Sequence, residues 1–161
     1  MQAPSILTKL RRPQNRNMAK EKIQEKTKIE PKFFAGTGRR KTAVARVFMW
    51  DEKGEFTVNG KDINEYFPSE KEQIAWTRPF HILGVSHPKA KFKASIKVAG
   101  SGKAAQLGAV THGISAALSV MNEEYSVALR KQGLLTRDSR MVERKKPYLH
   151  KARKAPQYSK R

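Results

Sequence analysis

Between Phe92 and Val98 apolar and polar residues alternate one for one, Phe92, Ala94, Ile96 and Val98 against Lys93, Ser95 and Lys97. A period of two sends these sets to opposite faces of a β-strand, so the segment predicts a strand with one buried face and one cationic face. Gly100 and Gly102 break the alternation, and the period then changes. Leu107, Val110, Ile114, Ala117, Leu118 and Met121 recur at helical spacing. This predicts a helix of about four turns whose apolar stripe covers a sheet.

The remaining pattern is shorter in range. Ala43 to Trp50 is rich in Val and aromatic residues and predicts a strand. Asp51 to Gly54 predicts a turn, with Gly54 at positive φ, and Glu55 to Val58 a returning strand. Asn59-Gly60 is a second turn signal, and Asp62 is placed to cap a short helix through Tyr66. Ser69 with Glu72 has capping-box spacing. It starts a helix near Glu70 that carries Ile74 and Trp76 and must end or kink by Pro79. Phe80 to Val85 reads equally as strand or loop, and His87-Pro88 as a turn. Asn122 with Glu123 and Glu124 predicts a capped, acid-led helix, and Gly133 its stop. Leu134-Leu135 returns to the core. Hairpin, helices, strand, long helix and short helix make an α+β layer architecture, one sheet covered by helices on one face. Trp50 and Trp76 are expected in its core.

Charge changes the picture. The chain of 161 residues carries 34 Lys or Arg against 14 Asp or Glu, a formal net charge of +20. Such an excess calls for a polyanion, and nucleic acid is favoured over an anionic membrane. No stretch is expected to reach the roughly 20 apolar residues of a bilayer span. Cysteine is absent, which excludes disulfides, thiolate catalysis and cysteine-ligated zinc.

The charge is concentrated at the ends. Of the eighteen residues from Arg144 to Arg161, eight are Lys or Arg and none is acidic. Like charges and little apolar surface prevent independent folding. Pro147 and Pro156 stiffen the segment, and Tyr148 and Tyr158 offer flat faces among the cations. Counterion release and base stacking make it an arm that orders on RNA, with a plain solvated basic terminus as the alternative. Met1 to Lys20 is also basic and acid-free. It reads either as an organellar transit segment or as a permanent extension lying on RNA. The expected organisation is an N-terminal extension over 1–31, a globular domain over 32–140 and a tail over 141–161.

Two glycine-rich motifs carry candidate chemistry. Gly36-Thr37-Gly38-Arg39-Arg40-Lys41 combines permissive backbone with three consecutive cations, suited either to an anion nest with guanidinium contacts or to a tight turn. Gly100-Ser101-Gly102-Lys103 resembles a phosphate loop only superficially. Lys97 stands where the first glycine is needed, and Ala104 where the metal-binding hydroxyl is needed. A glycine turn opening a helix near RNA phosphates is the better reading. His81, His87, His112 and His150 show no zinc spacing, and no serine sits in a nucleophile elbow. Neither an enzyme nor a cofactor is expected.

Taken together, four ordered segments resemble the universal small-subunit ribosomal protein nine family, in its bacterial or organellar form. They are Gly36 to Val47; Val98 to Gly102 with Gln106 to Ile114; Gly133 to Asp138 with Val142 to Lys146; and Pro156 to Arg161. The similarity runs from about Phe34 to the end. Thr111 stands where that family usually has Arg before His-Gly, and Lys103-Ala104-Ala105 replaces a more Gly- and Ser-rich stretch.

The resemblance implies an α/β sandwich like the second domain of small-subunit ribosomal protein five, with a left-handed crossover. It implies a place in the head of the small subunit, beside neighbouring head proteins, bound to the 3′ major domain of the small-subunit rRNA. The rRNA contacts would fall on Arg39, Arg40, Lys41, Arg46, Gly102, Lys103 and Arg137, and along the tail on Arg144, Lys145, Lys146, Lys151, Arg153 and Lys154. Ser159, Lys160 and Arg161 would meet the peptidyl-site tRNA. The N-terminal extension favours a mitochondrial ribosome, with a plastid or bacterial one as the alternative. A free DNA-condensing protein would explain the charge but not the motifs. A small-molecule kinase would need the nucleotide-loop residues that are missing.

Overall fold

The structure is a computed structural model, and it describes residues 33–159. The extension over 1–31, Lys32, Lys160 and Arg161 lie outside the described residues. Five strands form one sheet: β1 (Phe34–Arg40), β2 (Ala43–Trp50), β3 (Phe56–Val58), β4 (Lys61–Asp62) and β5 (Lys93–Ala99). Their spatial order is β1-β2-β5-β3-β4. The helices are α1 (Ile63–Tyr66), α2 (Glu70–Ile82), α3 (Pro88–Lys91), α4 (Lys103–Met121) and α5 (Glu123–Lys131). All pairings are antiparallel except β3 with β5. The crossover between those two strands carries α1, α2 and α3.

The pairing corrects the hairpin expected from sequence. Ala43–Trp50 does not pair with Phe56–Val58; β5 lies between them. The hairpin is β1 with β2, in register from Phe34↔Met49 to Arg40↔Ala43. Glycine alternation hid β1, because Gly36 and Gly38 occupy its inward positions. A Cβ on Gly36 would strike the backbone of Gly113 and Ala117, and one on Gly38 that of Ala109 and Gly113. These glycines therefore let α4 lie directly on β1, in extended strand rather than in an anion nest.

The core forms between the inner sheet face and α2, α4 and α5. Ala43, Ala45, Val47 and Met49 of β2 alternate inward, as do Ala94, Ile96 and Val98 of β5. Phe56, Phe80 and Phe92 pack with Trp76 at the α2 end, with centroids 5.5 to 5.8 Å apart for Phe56–Trp76, Phe56–Phe80 and Phe80–Phe92. Trp76 is thus a core residue, but Trp50 is not: it faces outward, half-buried, on the side of the sheet that no described element covers. Contrary to expectation, one described helix has the length and mean hydropathy (1.2) to cross a bilayer. It is α4, and its apolar stripe is buried on the sheet.

Other local expectations resolve individually. The Ser69 amide donates to Glu72 Oε2 at 3.3 Å, as a capping box requires. Asn122 Oδ1 accepts from the Glu124 amide at 2.9 Å, and Gly133 ends α5 with φ 71°. Asn59 (φ 50°) and Gly60 (φ 85°) make the turn into β4. Asp62 does precede α1, but its carboxylate makes no cap bond and pairs with Lys89 instead, at 3.2 Å. Gly54 is not at positive φ; it packs against the Lys93 side chain. Phe80–Ile82 is helical, because α2 continues through Pro79. Proline removes the amide that would bond the Ala75 carbonyl. Thr111 Oγ1 of α4 lies 3.2 Å from that oxygen and 3.0 Å from the Leu107 carbonyl of its own helix, so its one proton is shared between the two acceptors.

Candidate nucleic-acid interface

Two motifs separated by some sixty residues meet at one end of the sheet. β1 and β2 are joined by the two-residue turn Lys41-Thr42, with Lys41 at φ 51°. Gly100 lies against this turn, so closely that a Cβ would strike the Thr42 carbonyl. Its φ of 81° and that of Ser101, 51°, swing the chain from β5 into α4. Gln106 holds the loop, donating to the Gly100 carbonyl at 3.1 Å and accepting from the Tyr66 hydroxyl at 2.8 Å. Gly102 is the N-cap of α4 and provides no side-chain bond to its first turn. Exposed Lys41, Gly102 and Lys103 thus stand together where a helix begins, a setting that favours anions.

Beside this end lies a cleft of about 430 Å³, lined among others by Arg39, Arg40, Arg78, Thr111, His112 and Asp138. Cations reach it from β1 and from α2. His112 is a strut within it. Its Nδ1 accepts from the Arg39 amide at 3.3 Å. That places the proton on Nε2, which donates to the Leu135 carbonyl at 3.3 Å. The ring joins β1 to the segment that leaves α5. No group of three His, Cys, Asp or Glu side chains comes together among the described residues.

Arg40 fastens the root of the tail. Its Nη1 lies 2.8 Å from Asp138 Oδ1 and 3.2 Å from the Arg140 carbonyl. Arg140 grips the same carboxylate, with Nη2 at 2.6 Å from Oδ2 and its amide at 2.9 Å from Oδ1. The side-chain bond from Arg140, then its amide, hold the Asp138 carboxyl well below the usual carboxylate range. Arg140 is exposed and Arg40 and Asp138 are only partly buried, so the arrangement fixes a direction more than it adds stability. The aliphatic part of Arg40 crosses Gly108 of α4, where a Cβ would come within 3.2 Å of its Cγ.

Beyond the root the described tail has no helix or strand, but it folds back on itself. Glu143 accepts from Lys146 Nζ at 2.6 Å and from Arg153 Nε at 2.7 Å, and these bonds lower its pKa. The His150 amide donates to the Lys154 carbonyl at 2.8 Å. Lys146 and Arg153 are therefore paired, whereas Arg144, Lys145, Lys151 and Lys154 make no ion pair among the described residues. Tyr148 and Tyr158 are 94% and 90% exposed. Ser159 is exposed, and its two neighbours in the expected tRNA-contacting group, Lys160 and Arg161, are outside the described residues.

The structure gathers Arg39, Arg40, Lys41, Gly102 and Lys103 at one end and leaves Arg137 exposed next to the tail root. Arg46 stands apart, facing outward from the middle of β2 opposite Lys97. Sequence reading missed Arg78, Arg140 and Lys97. Arg78 follows the apolar positions of α2 without a motif of its own, and Lys97 was legible only as a polar position in an alternating strand. Residues 38–161 match the family model described as Ribosomal protein S9/S16, and the chain belongs to that family, a structural, rRNA-binding family of the small ribosomal subunit.

Proposed function

We propose that the chain stands in the head of the small subunit on the 3′ major domain of its rRNA, with its tail reaching the peptidyl-site tRNA. The observation that carries this reading is the fastening of Asp138 and Arg140 by Arg40, which couples the cationic end of the domain to the start of the tail. The domain over 32–140 acts as the mount and residues 141–161 as the arm, with 1–31 a separate extension. Arg39, Lys41, the loop at Gly102 with Lys103, Arg46 and Arg137 contact rRNA phosphates. Arg144, Lys145, Lys151 and Lys154 run along rRNA, and Lys146 and Arg153 exchange Glu143 for phosphate there. Ser159, Lys160 and Arg161 meet tRNA phosphate without reading bases, as a site serving every tRNA requires.

The fold is proposed to be that of the second domain of small-subunit ribosomal protein five, which the parallel β3–β5 crossover supports. Neighbouring head proteins complete the surroundings. The acid-free basic stretch Met1 to Lys20 supports a mitochondrial ribosome. Deleting Lys160 and Arg161 tests the division of labour. Small subunits should assemble with the shortened protein at normal stoichiometry, while peptidyl-site tRNA dissociates several-fold faster. Failed assembly, or an unchanged tRNA dissociation rate, would refute it.

A further inference from the structure

The face of the sheet opposite α4 is not covered by any described element. Its outward positions form cross-strand rows: Arg39–Val44–Ala99, then Thr37–Arg46–Lys97, then Ala35–Phe48–Ser95, then Trp50–Lys93. Phe33 closes the last row, with its ring centroid 5.4 Å from that of Phe48 and 6.2 Å from that of Trp50. Lys93 Nζ lies 5.9 Å from the Trp50 ring centroid. β1, β2 and β5 contain no acidic residue, and Arg46, Lys93 and Lys97 make no ion pair among the described residues. The acids nearest in sequence to these strands are Asp51 and Glu52, in the connection from β2 to β3, and Glu30, which lies outside the described residues.

Arg46 and Lys97 are direct cross-strand partners. Like charges in that relation disfavour the sheet, because their side chains leave the strands about 5 Å apart. An anion between them reverses the sign. Val44, Arg46, Lys97, Val98 and Ala99 also line a depression of about 310 Å³, large enough to seat one. Four residues further along β2, Trp50 stands about 13 Å away at strand rise. Cations beside half-buried aromatic rings on an open sheet suit a nucleic-acid strand with unpaired bases. An acidic protein segment would satisfy the charges but would leave the rings without stacking partners.

We propose that this face, which no described element covers, is a second RNA surface, distinct from the end where Lys41, Gly102 and Lys103 meet. It takes unpaired nucleotides, with phosphate between Arg46 and Lys97 and a base against the Phe48–Trp50 row. Lys93 swings from Trp50 to a neighbouring phosphate as the base arrives. This inference rests on the reading of the chain as an rRNA-bound protein.

Ultraviolet crosslinking of intact small subunits, with mass spectrometry of nucleotide-bearing and protein-crosslinked peptides, tests it. Nucleotide adducts on peptides containing Phe48, Trp50 or Lys93 are expected, mapping to unpaired rRNA positions. Subunits carrying Arg46→Ala with Lys97→Ala should show at least a tenfold loss of those adducts, while adducts on residues 144–154 persist. Both substitutions are at exposed positions and remove a like-charge pair, so folding is retained. Adducts from the turn at Lys41 and the tail but none from this face would overturn the proposal and leave the family reading intact. Crosslinks from this face to an acidic protein segment would also overturn it. A chain absent from the subunits would sink the rRNA reading itself.

Discussion

Gly38→Ala separates two uses of glycine. One methyl group is added at an inward position of β1, where φ is ordinary for any residue. The new Cβ would fall against the Ala109 carbonyl oxygen and within 2.9 Å of its carbon. Both are backbone atoms of α4, so no rotamer change relieves the clash. Either α4 lifts from β1 or β1 bends away, and both open the contact that Ala109, Gly113 and Ala117 make with the strand. Overpacking usually costs about 1–3 kcal/mol, and with no flexible neighbour we place this case at about 3 kcal/mol. Loss of glycine's unfolded-state freedom returns less than about 1 kcal/mol. The net effect corresponds to a fall in Tm of roughly 10 °C for a domain of this size. Thermal unfolding of the full chain followed by circular dichroism reads it directly. A Tm within about 2 °C of the parent, together with weakened RNA binding, would refute the packing argument and restore the glycine to a phosphate-approach role.

Further predictions concern the tail root and the turn into β4. Asp138→Asn should release Arg40 and Arg140, and trypsin should then cut after Arg140 several-fold faster, with Tm nearly unchanged. Because the folded carboxyl is held below its unfolded value, the fastening is complete above about pH 4 and is lost only as pH falls through the lower folded value. The Arg140 amide resonance should therefore hold its position on acidification to about pH 4, and a shift beginning near about pH 5 would contradict this. Asn59 donates to the Val98 carbonyl at 3.0 Å and accepts its amide at 2.9 Å. Asn59→Ala strands both groups and places alanine at positive φ, so a loss of about 2 kcal/mol in urea unfolding is expected. A loss below about 0.5 kcal/mol would show that solvent replaces the pair.

What the sequence displayed depended on whether burial left a pattern. Phe92 to Val98 was legible because one face is dry and the other wet, and the stripe on α4 for the same reason. β1 was hidden because its inward positions are glycines, which carry no hydrophobic signal and look like a loop. The hairpin was misassigned because β5 enters between β2 and β3 from about forty residues away, a pairing that local spacing does not encode. The continuation of α2 through Pro79 puts the Ala75 carbonyl within reach of a hydroxyl from α4, a contact equally remote in sequence. At the candidate interface, the cations of residues 39–41 and of the tail were legible as charge runs. The bond that joins them was not, because Asp138 reads as one acid among basic neighbours until the fold brings Arg40 to it.

Sucrose-gradient fractionation of a mitochondria-enriched lysate, with mass spectrometry across the peaks, tests the central claim most directly. Cosedimentation with small-subunit rRNA is the predicted result, and peptides from before Pro31 in the same peak would add support for a retained extension. Recovery on DNA, with none in any ribosomal fraction, would contradict the account.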